Sequence, residues 1–169
     1  KIQDGNSSSA GLKLTSAYSE IGNITISGIA AFGMVLENAD YNSILNCTIK
    51  DNTNDGVEIV DGSNNNYFFQ NVIKNNDDGI NVAGDNNRIN NNTITDNEYG
   101  IIIYATHNNL VANNTIVGDR IGLMLVSSDY NTISSNFISS EPNLGKLQER
   151  QFQSLFNVNS IALNLDITP

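Results

Sequence analysis

The side chains of this chain that could do chemistry fall into columns. Read in steps of about 22 residues, the sequence aligns Asp40, Asn64, Asp85, His107 and Asp129, with Tyr41 and Tyr130 beside them. A histidine with a carboxylate one step away on either side has the parts of a general acid or base. Within that column the catalytic candidates are His107, Asp85 and Asp129, with Arg88 and Tyr104 as neighbours that could act with them. Asp40, Asp85 and Asp129 also offer the oxygen ligands that calcium takes. A second column sets Lys50 against Lys74, next to Asp51, Asn75 and Asp96. Either lysine is a candidate proton acceptor. Each column has a plainer reading as well. Asp and Asn before a corner are ordinary turn residues, and Lys beside Asp is an ordinary solvated pair.

The columns exist because the chain repeats. Segments opening at Gly33, Gly56, Gly79, Gly100 and Gly122 follow one another at steps of 23, 23, 21 and 22 residues. After each glycine come an apolar-x-apolar triplet, a polar turn, N-x-apolar, and N-x-Ile. One Asn column is Asn42, Asn66, Asn87, Asn109 and Asn131; five residues on lies Cys47, Asn71, Asn92, Asn114 and Asn136. A third polar column is Asn52, Asn76, Asn97, Asp119 and Glu141. A fixed period with columns in register means a solenoid, one coil per repeat.

Within a repeat the apolar residues pair at i and i+2, the strand period, and the phase breaks between pairs. Three short strands and three turns make a triangular coil, and stacked coils make parallel sheets. The Asn columns belong at the corners. Asparagine carries donors and an acceptor, so identical side chains can bond from coil to coil. It also tolerates the left-handed backbone that corners need, and glycine at each coil start is expected to serve the same backbone purpose. The Asn columns are thus a structural ladder and not a ligand site.

Composition narrows the partners. The chain has 169 residues, 30 of them Asn, and a net charge of −10. Such acidity argues against nucleic acid and anionic membrane surfaces, which want a basic face. It leaves calcium, neutral sugars or a basic partner. No apolar run approaches a membrane span. Cys47 has no second cysteine to pair with, and one Cys with one His cannot build a zinc site. Cys47 is expected as a buried thiol.

The organisation reads as three parts. Residues 1–10 look like the end of an earlier coil, without the basic-then-apolar pattern of a leader. Residues 11–141 form about six coils. Residues 142–169 leave the pattern: Leu144, Leu147, Leu155 and Phe156 suit one helical face, and Ile161, Leu163, Leu165 and Ile167 alternate as a strand. A cap of helix plus strand over the open end is expected there, with subunit association through 144–169 as the other reading.

The repeat phrase, carried best by Gly79-Ile80-Asn81-Val82 through Asn97 and by Gly100 through Asp119, resembles that of pectin-lyase-like proteins. It looks closest to the branch of NosD-like proteins and carbohydrate-binding and sugar-hydrolase domains. The resemblance implies an all-β, right-handed parallel β-helix. It also implies an extracellular, cell-surface or periplasmic module that binds or helps process a polysaccharide. Tyr41, Tyr99, Tyr104 and Tyr130 are then the candidates for docking a glycan. If the chain is an enzyme, the resemblance implies a polysaccharide lyase, hydrolase or uronate epimerase. The short turns and the lack of a lyase or hydrolase signature around the acids favour a module without activity of its own. The competing reading is a structural shaft or spike. No organic cofactor is expected, because no phosphate-cradling loop is present.

Overall fold

The computed structural model describes residues 10–139, and these form three parallel sheets of six strands each. The first sheet stacks β1 (Leu12–Leu14), β4 (Met34–Leu36), β7 (Val57–Ile59), β10 (Asp78–Val82), β13 (Tyr99–Tyr104) and β16 (Ile121–Val126). The second stacks β2 (Glu20–Gly22), β5 (Ser43–Leu45), β8 (Tyr67–Phe69), β11 (Arg88–Asn90), β14 (Leu110–Ala112) and β17 (Thr132–Ser134). The third stacks β3 (Thr25–Ser27), β6 (Thr48–Lys50), β9 (Val72–Lys74), β12 (Thr93–Thr95), β15 (Thr115–Val117) and β18 (Phe137–Ser139). Each run of three strands closes one coil. The fold is therefore the parallel β-solenoid of six turns that the period requires. The expected cap at 142–169 and the start at 1–9 lie outside the described residues.

Register explains the core. Ile49, Ile73, Ile94 and Ile116 are partners in successive strands of the third sheet, and Ile44, Phe68, Ile89 and Val111 in the second. All eight are fully buried. Neighbouring coils lie about 4.8 Å apart, so each residue packs on its counterpart above and below. Burying one such side chain contributes roughly 1.5–3 kcal/mol before conformational entropy is charged.

The Asn columns are hydrogen-bonded ladders. Asn92 Oδ1 accepts from the backbone N–H of Asn71 at 2.9 Å and from its Nδ2 at 3.0 Å. Asn92 in turn donates from both groups to Asn114 Oδ1 at 2.9 and 3.1 Å. The columns through Asn42, Asn66, Asn87, Asn109 and Asn131 and through Asn52, Asn76 and Asn97 repeat the pattern. Each rung satisfies a backbone N–H that the corner leaves without a sheet partner.

Two details of the corner differ from expectation. The left-handed residue is not the ladder Asn but the one before it: Asn46, Gln70, Asn91 and Asn113 precede Cys47, Asn71, Asn92 and Asn114, with φ between 52° and 56°. An exposed residue makes the bend, and the next points its amide inward. The glycine column also has another cause. Gly56 has no positive φ; a Cβ there would lie 2.7 Å from Ile73 Cγ2 and 2.8 Å from the Gly79 carbonyl oxygen. Glycine is required because two coils approach too closely for a side chain, not because the backbone turns left-handed.

Candidate functional site

The sequence candidates separate once placed on the solenoid. The column through His107 is a surface ladder at the corner before the second sheet. Asp40 Oδ1 accepts the Asn64 N–H at 2.7 Å, Asn64 Oδ1 accepts that of Asp85, and Asp85 Oδ1 accepts that of His107. His107 Nδ1 accepts the Asp129 N–H at 3.3 Å. Asp85 also accepts the Thr106 hydroxyl at 2.6 Å, and this bond holds its carboxyl below the usual range. Asp40 and Asp85 are spent on the neighbouring coil's backbone. Among the described residues, Arg88 and Tyr104 make no hydrogen bond or ion pair with His107. Lys50 and Lys74 are partners in adjacent strands, as the spacing requires, and Lys50 pairs with Asp51 at 2.8 Å on the outside of the third sheet.

The four candidate tyrosines do not share a face. Tyr41 stacks on Tyr18 at a corner, ring centroids 5.1 Å apart and planes 3° from parallel. Tyr130 occupies the matching left-handed corner position at the far end of the stack. Tyr99 and Tyr104 open and close β13 on the first sheet.

The most unusual electrostatics lie on the outside of the first sheet, among acids that column reading passed over. Asp55 precedes Gly56, and Asp78 precedes Gly79 one coil on; the Gly56 N–H donates to the Asp78 carbonyl at 2.7 Å. Glu58 points outward from β7, and Asn81, its partner on β10, lies beside it. Asp77 and Glu98 flank the group. Asp55 is only 8% exposed. Burial, the hydrogen bond to Glu58 and the charges of Glu58 and Asp77 push its carboxyl up to about 7. Burial, then the charges of Asp55, Asp77 and Glu98, push Asp78 up to about 7 as well. Glu58 is also raised, by burial first. Asp55 therefore holds a proton near neutrality and donates it in the hydrogen bond to Glu58. The Asn81 amide beside them acts the other way, favouring the charged form of both.

Beyond Glu98 lies a cation. Arg120 Nε donates to Glu98 at 2.9 Å, its guanidinium lies 4.7 Å from the centre of the Tyr99 ring, and it bonds the Tyr99 hydroxyl. Farther along the axis the same face turns apolar, with Ile102 and Met124 in the outward position that Glu58 and Asn81 fill earlier. Tyr104 closes that end, 54% exposed. The face thus joins carboxyls that can donate or accept a proton to an apolar strip in which Met124 is half-buried and Ile102 is 8% exposed. Carboxyls that keep protons near pH 7 are the usual means of general acid chemistry, and they can hydrogen-bond hydroxyl groups in either sense. The signal in the sequence was an acid directly before the glycine column in two successive coils, Asp55-Gly56 and Asp77-Asp78-Gly79.

Other potential ligand groups are dispersed. Cys47 is 1% exposed, and its thiol donates to the carbonyls of Leu45 at 3.3 Å and Ile21 at 3.7 Å. Met34 is fully buried on β4, while Met124 lies outside on β16. Among the described residues, no three His, Cys, Asp or Glu side chains come together as a metal ion would need.

Comparison with known proteins fits this architecture. The family model for the periplasmic copper-binding protein NosD matches residues 2–164, and the chain belongs to that family. No curated protein matches the sequence. Among solved structures, the A-module of the Azotobacter vinelandii mannuronan C-5 epimerase AlgE4 superposes with a TM-score of 0.70 at 19% identity, over 76% of this chain and 42% of that one. The AlgE6 A-module from the same organism gives 0.65 at 19% identity, over 75% and 44%. The enzymatically active domain of tailspike protein 2 from bacteriophage CBA120 gives 0.56 at 13% identity, over 92% and 26%. At these identities the likeness is one of fold. The chain spans less than half the length of each of these structures.

Proposed function

We propose that this NosD-family β-helix is a periplasmic module that lays a polysaccharide along the outer face of its first sheet. The observation that carries the reading is the cluster of Asp55 and Asp78, whose carboxyls are raised to about 7, with Glu58, also raised by burial, set beside Asn81 and the apolar strip of Ile102 and Met124. Sugars present hydroxyls on their edges and C–H groups on their faces. A surface that pairs two-way hydrogen-bonding groups with an apolar strip matches both. The periplasmic description of the family and the carbohydrate-acting names of two fold relatives support the reading. Asp55 and Asp78 have the protonation a general acid needs, so a reaction on the bound chain would start from them.

Copper, which the family description mentions, does not suit the residues of this chain. Copper favours Cys, Met and His gathered at one point. The chain has one Cys, one His and two Met, spread over a sealed corner, a surface ladder, the core and the outer face. No step here is therefore routed through copper.

The test is binding of the purified chain to a panel of neutral, amino-sugar and uronate polysaccharides by calorimetry, repeated on Glu58→Gln and Asp78→Asn. The expected result is binding to at least one class that falls tenfold or more in both variants while the β-sheet signal stays intact. Binding to none by the folded chain would overturn the reading in favour of a structural shaft.

A further inference from the structure

The third Asn column ends differently from the other two. The first ends at Asn131, whose Nδ2 donates to the Thr106 carbonyl at 3.2 Å; the second ends at Asn136, whose Nδ2 donates to the Val111 carbonyl at 2.8 Å. In the third column the place after Asn97 is taken by Asp119. Its Oδ1 does what an amide oxygen does, accepting the Asn97 backbone N–H at 2.7 Å and the Asn97 Nδ2 at 2.9 Å. Its Oδ2 is buried and has no hydrogen-bond partner, and the residue is 0% exposed.

That second oxygen sits where an amide would carry its NH2. By the same register, Asn76 Nδ2 reaches the carbonyl of Ile49, and Asn97 Nδ2 that of Thr95. The equivalent carbonyls for residue 119 belong to Ile94 and Val117. A carboxylate oxygen aimed at carbonyl oxygens is repelled by them; a carboxylic acid O–H is not, and it donates as the amide would. The surroundings add to this. The Asp96 carboxylate lies one coil back, its Oδ1 2.7 Å from where a Cβ on Gly118 would stand. The nearby cation, Arg120, faces Glu98 and Tyr99. Glu141 falls at the next place in the column and lies outside the described residues.

We propose that Asp119 is a protonated rung, a carboxylic acid standing in for an asparagine, and that loss of its proton loosens the last coil of the solenoid. Burial first, and then the charge of Asp96, raise this carboxyl to about 6, against the opposing bonds from Asn97. Sealed interior acids of this kind keep their proton because the charged form cannot be solvated. Below pH 6 this ladder is complete through the fifth coil. Above it a buried charge lies where the register puts two carbonyls, and the bonds from Asn97 offset only part of its cost. The last coils carry Ile102, Met124 and Arg120 of the outer face, so the device would set the order of that end of the face by pH.

Two measurements on the full chain test this. The first is the carbon resonance of the Asp119 carboxyl followed from pH 4 to 8. A midpoint near 6 is expected; ionisation complete by pH 4.5 would overturn the proposal. The second is hydrogen exchange of the Asn97 N–H, corrected for intrinsic rate, in wild type and Asp119→Asn. Wild-type protection should fall by up to about tenfold for each pH unit between about 4 and 6, the linkage limit for one proton, and level off above 6. The variant, with an amide in the seat, should show no such fall. The same pH profile in both proteins would show that the rung does not depend on this proton.

Discussion

The first and third sheets are built on the same period and end up with opposite characters. In the third sheet every inward residue from β3 to β18 is isoleucine, and the outward places hold mostly Thr, Ser, Val and Lys. Its strands are all three residues long. The first sheet buries Leu, Met, Val and Ile, and its strands lengthen to five and six residues from β10 onward. Its outward column reads Lys13, Val35, Glu58, Asn81, Ile102 and Met124, with no residue repeated. Stacking alone asks only that a side chain match its neighbours above and below. The third sheet meets that demand and nothing more. The first departs from it, placing unlike groups side by side and burying acids together, which costs stability unless protons neutralise them. In a repeat protein, uniform columns point to the scaffold and broken columns to the site.

The comparison is broken most severely by an attack on what both sheets share. Gly56→Ala would drive a Cβ to within 3 Å of Ile73, Asn76 and the Gly79 carbonyl. Two backbones would have to part, and a loss of about 3 kcal/mol is expected, the upper range for overpacking. An unchanged urea midpoint would show that coils slide past each other more freely than the stacking implies. Asn92→Ala comes next. It leaves the Asn71 N–H and Nδ2 without their acceptor and Asn114 Oδ1 without one of its two donors, and should cost about 1–3 kcal/mol.

Acidity should separate the two sheets. Asp55 and Asp78 on the first sheet, and Asp119 at the end of the ladder, hold protons more tightly folded than unfolded. Raised carboxyls contribute stability that is complete below about pH 4, the unfolded value, and lost as pH rises through 6 to 7. For Asp119 alone the two-unit rise corresponds to about 3 kcal/mol. The solenoid is therefore expected to be several kcal/mol more stable at pH 5 than at pH 8. Further down, Asp51 and Asp85, whose carboxyls are lowered, lose their contribution as pH falls below 4. Urea titrations at pH 3, 5 and 8 should find the lowest stability at pH 8. Glu58→Gln should raise stability at pH 8 by about 1 kcal/mol and flatten the slope between pH 5 and 8, because one of the repelling acids is gone. A variant with the wild-type slope would mean that the acids of the first sheet do not sense one another.

The sequence disclosed the scaffold almost completely because the scaffold is periodic. Asn71, Asn92 and Asn114 occupy the same place in three coils, so a single alignment gives their stacking, burial and bonding at once. The role of the glycines was harder to see. A close approach between Gly56 and Gly79 depends on the distance between coils, which spacing along the chain does not encode. The acidic face was missed for a related reason. Asp55 and Asp78 lie one place before the glycine column and Glu58 two places after it, so no single column contains the group. What unites them is burial and shared outward direction on one edge of the first sheet. His107, by contrast, drew attention as the only histidine, and its column proved to be a string of backbone acceptors.

The smallest effect is the one that bears most directly on where the site lies. Lys50 and Lys74 are the most reactive-looking groups on the third sheet, and the contrast drawn above assigns them no function. Lys50 pairs with Asp51 in the open, the two side chains 35% and 44% exposed. An exposed pair of this kind contributes less than about 0.5 kcal/mol. The bond from Lys50 is the main reason that the Asp51 carboxyl is lowered, followed by one from Asn75, so removing the lysine should move Asp51 back toward its ordinary value and do little else. The double variant Lys50→Ala, Lys74→Ala should melt within a degree or two of wild type and keep any glycan affinity in full. If that double variant lost binding while Glu58→Gln kept it, the uniform sheet would be the working face, and the rule that broken columns mark the site would fail for this solenoid.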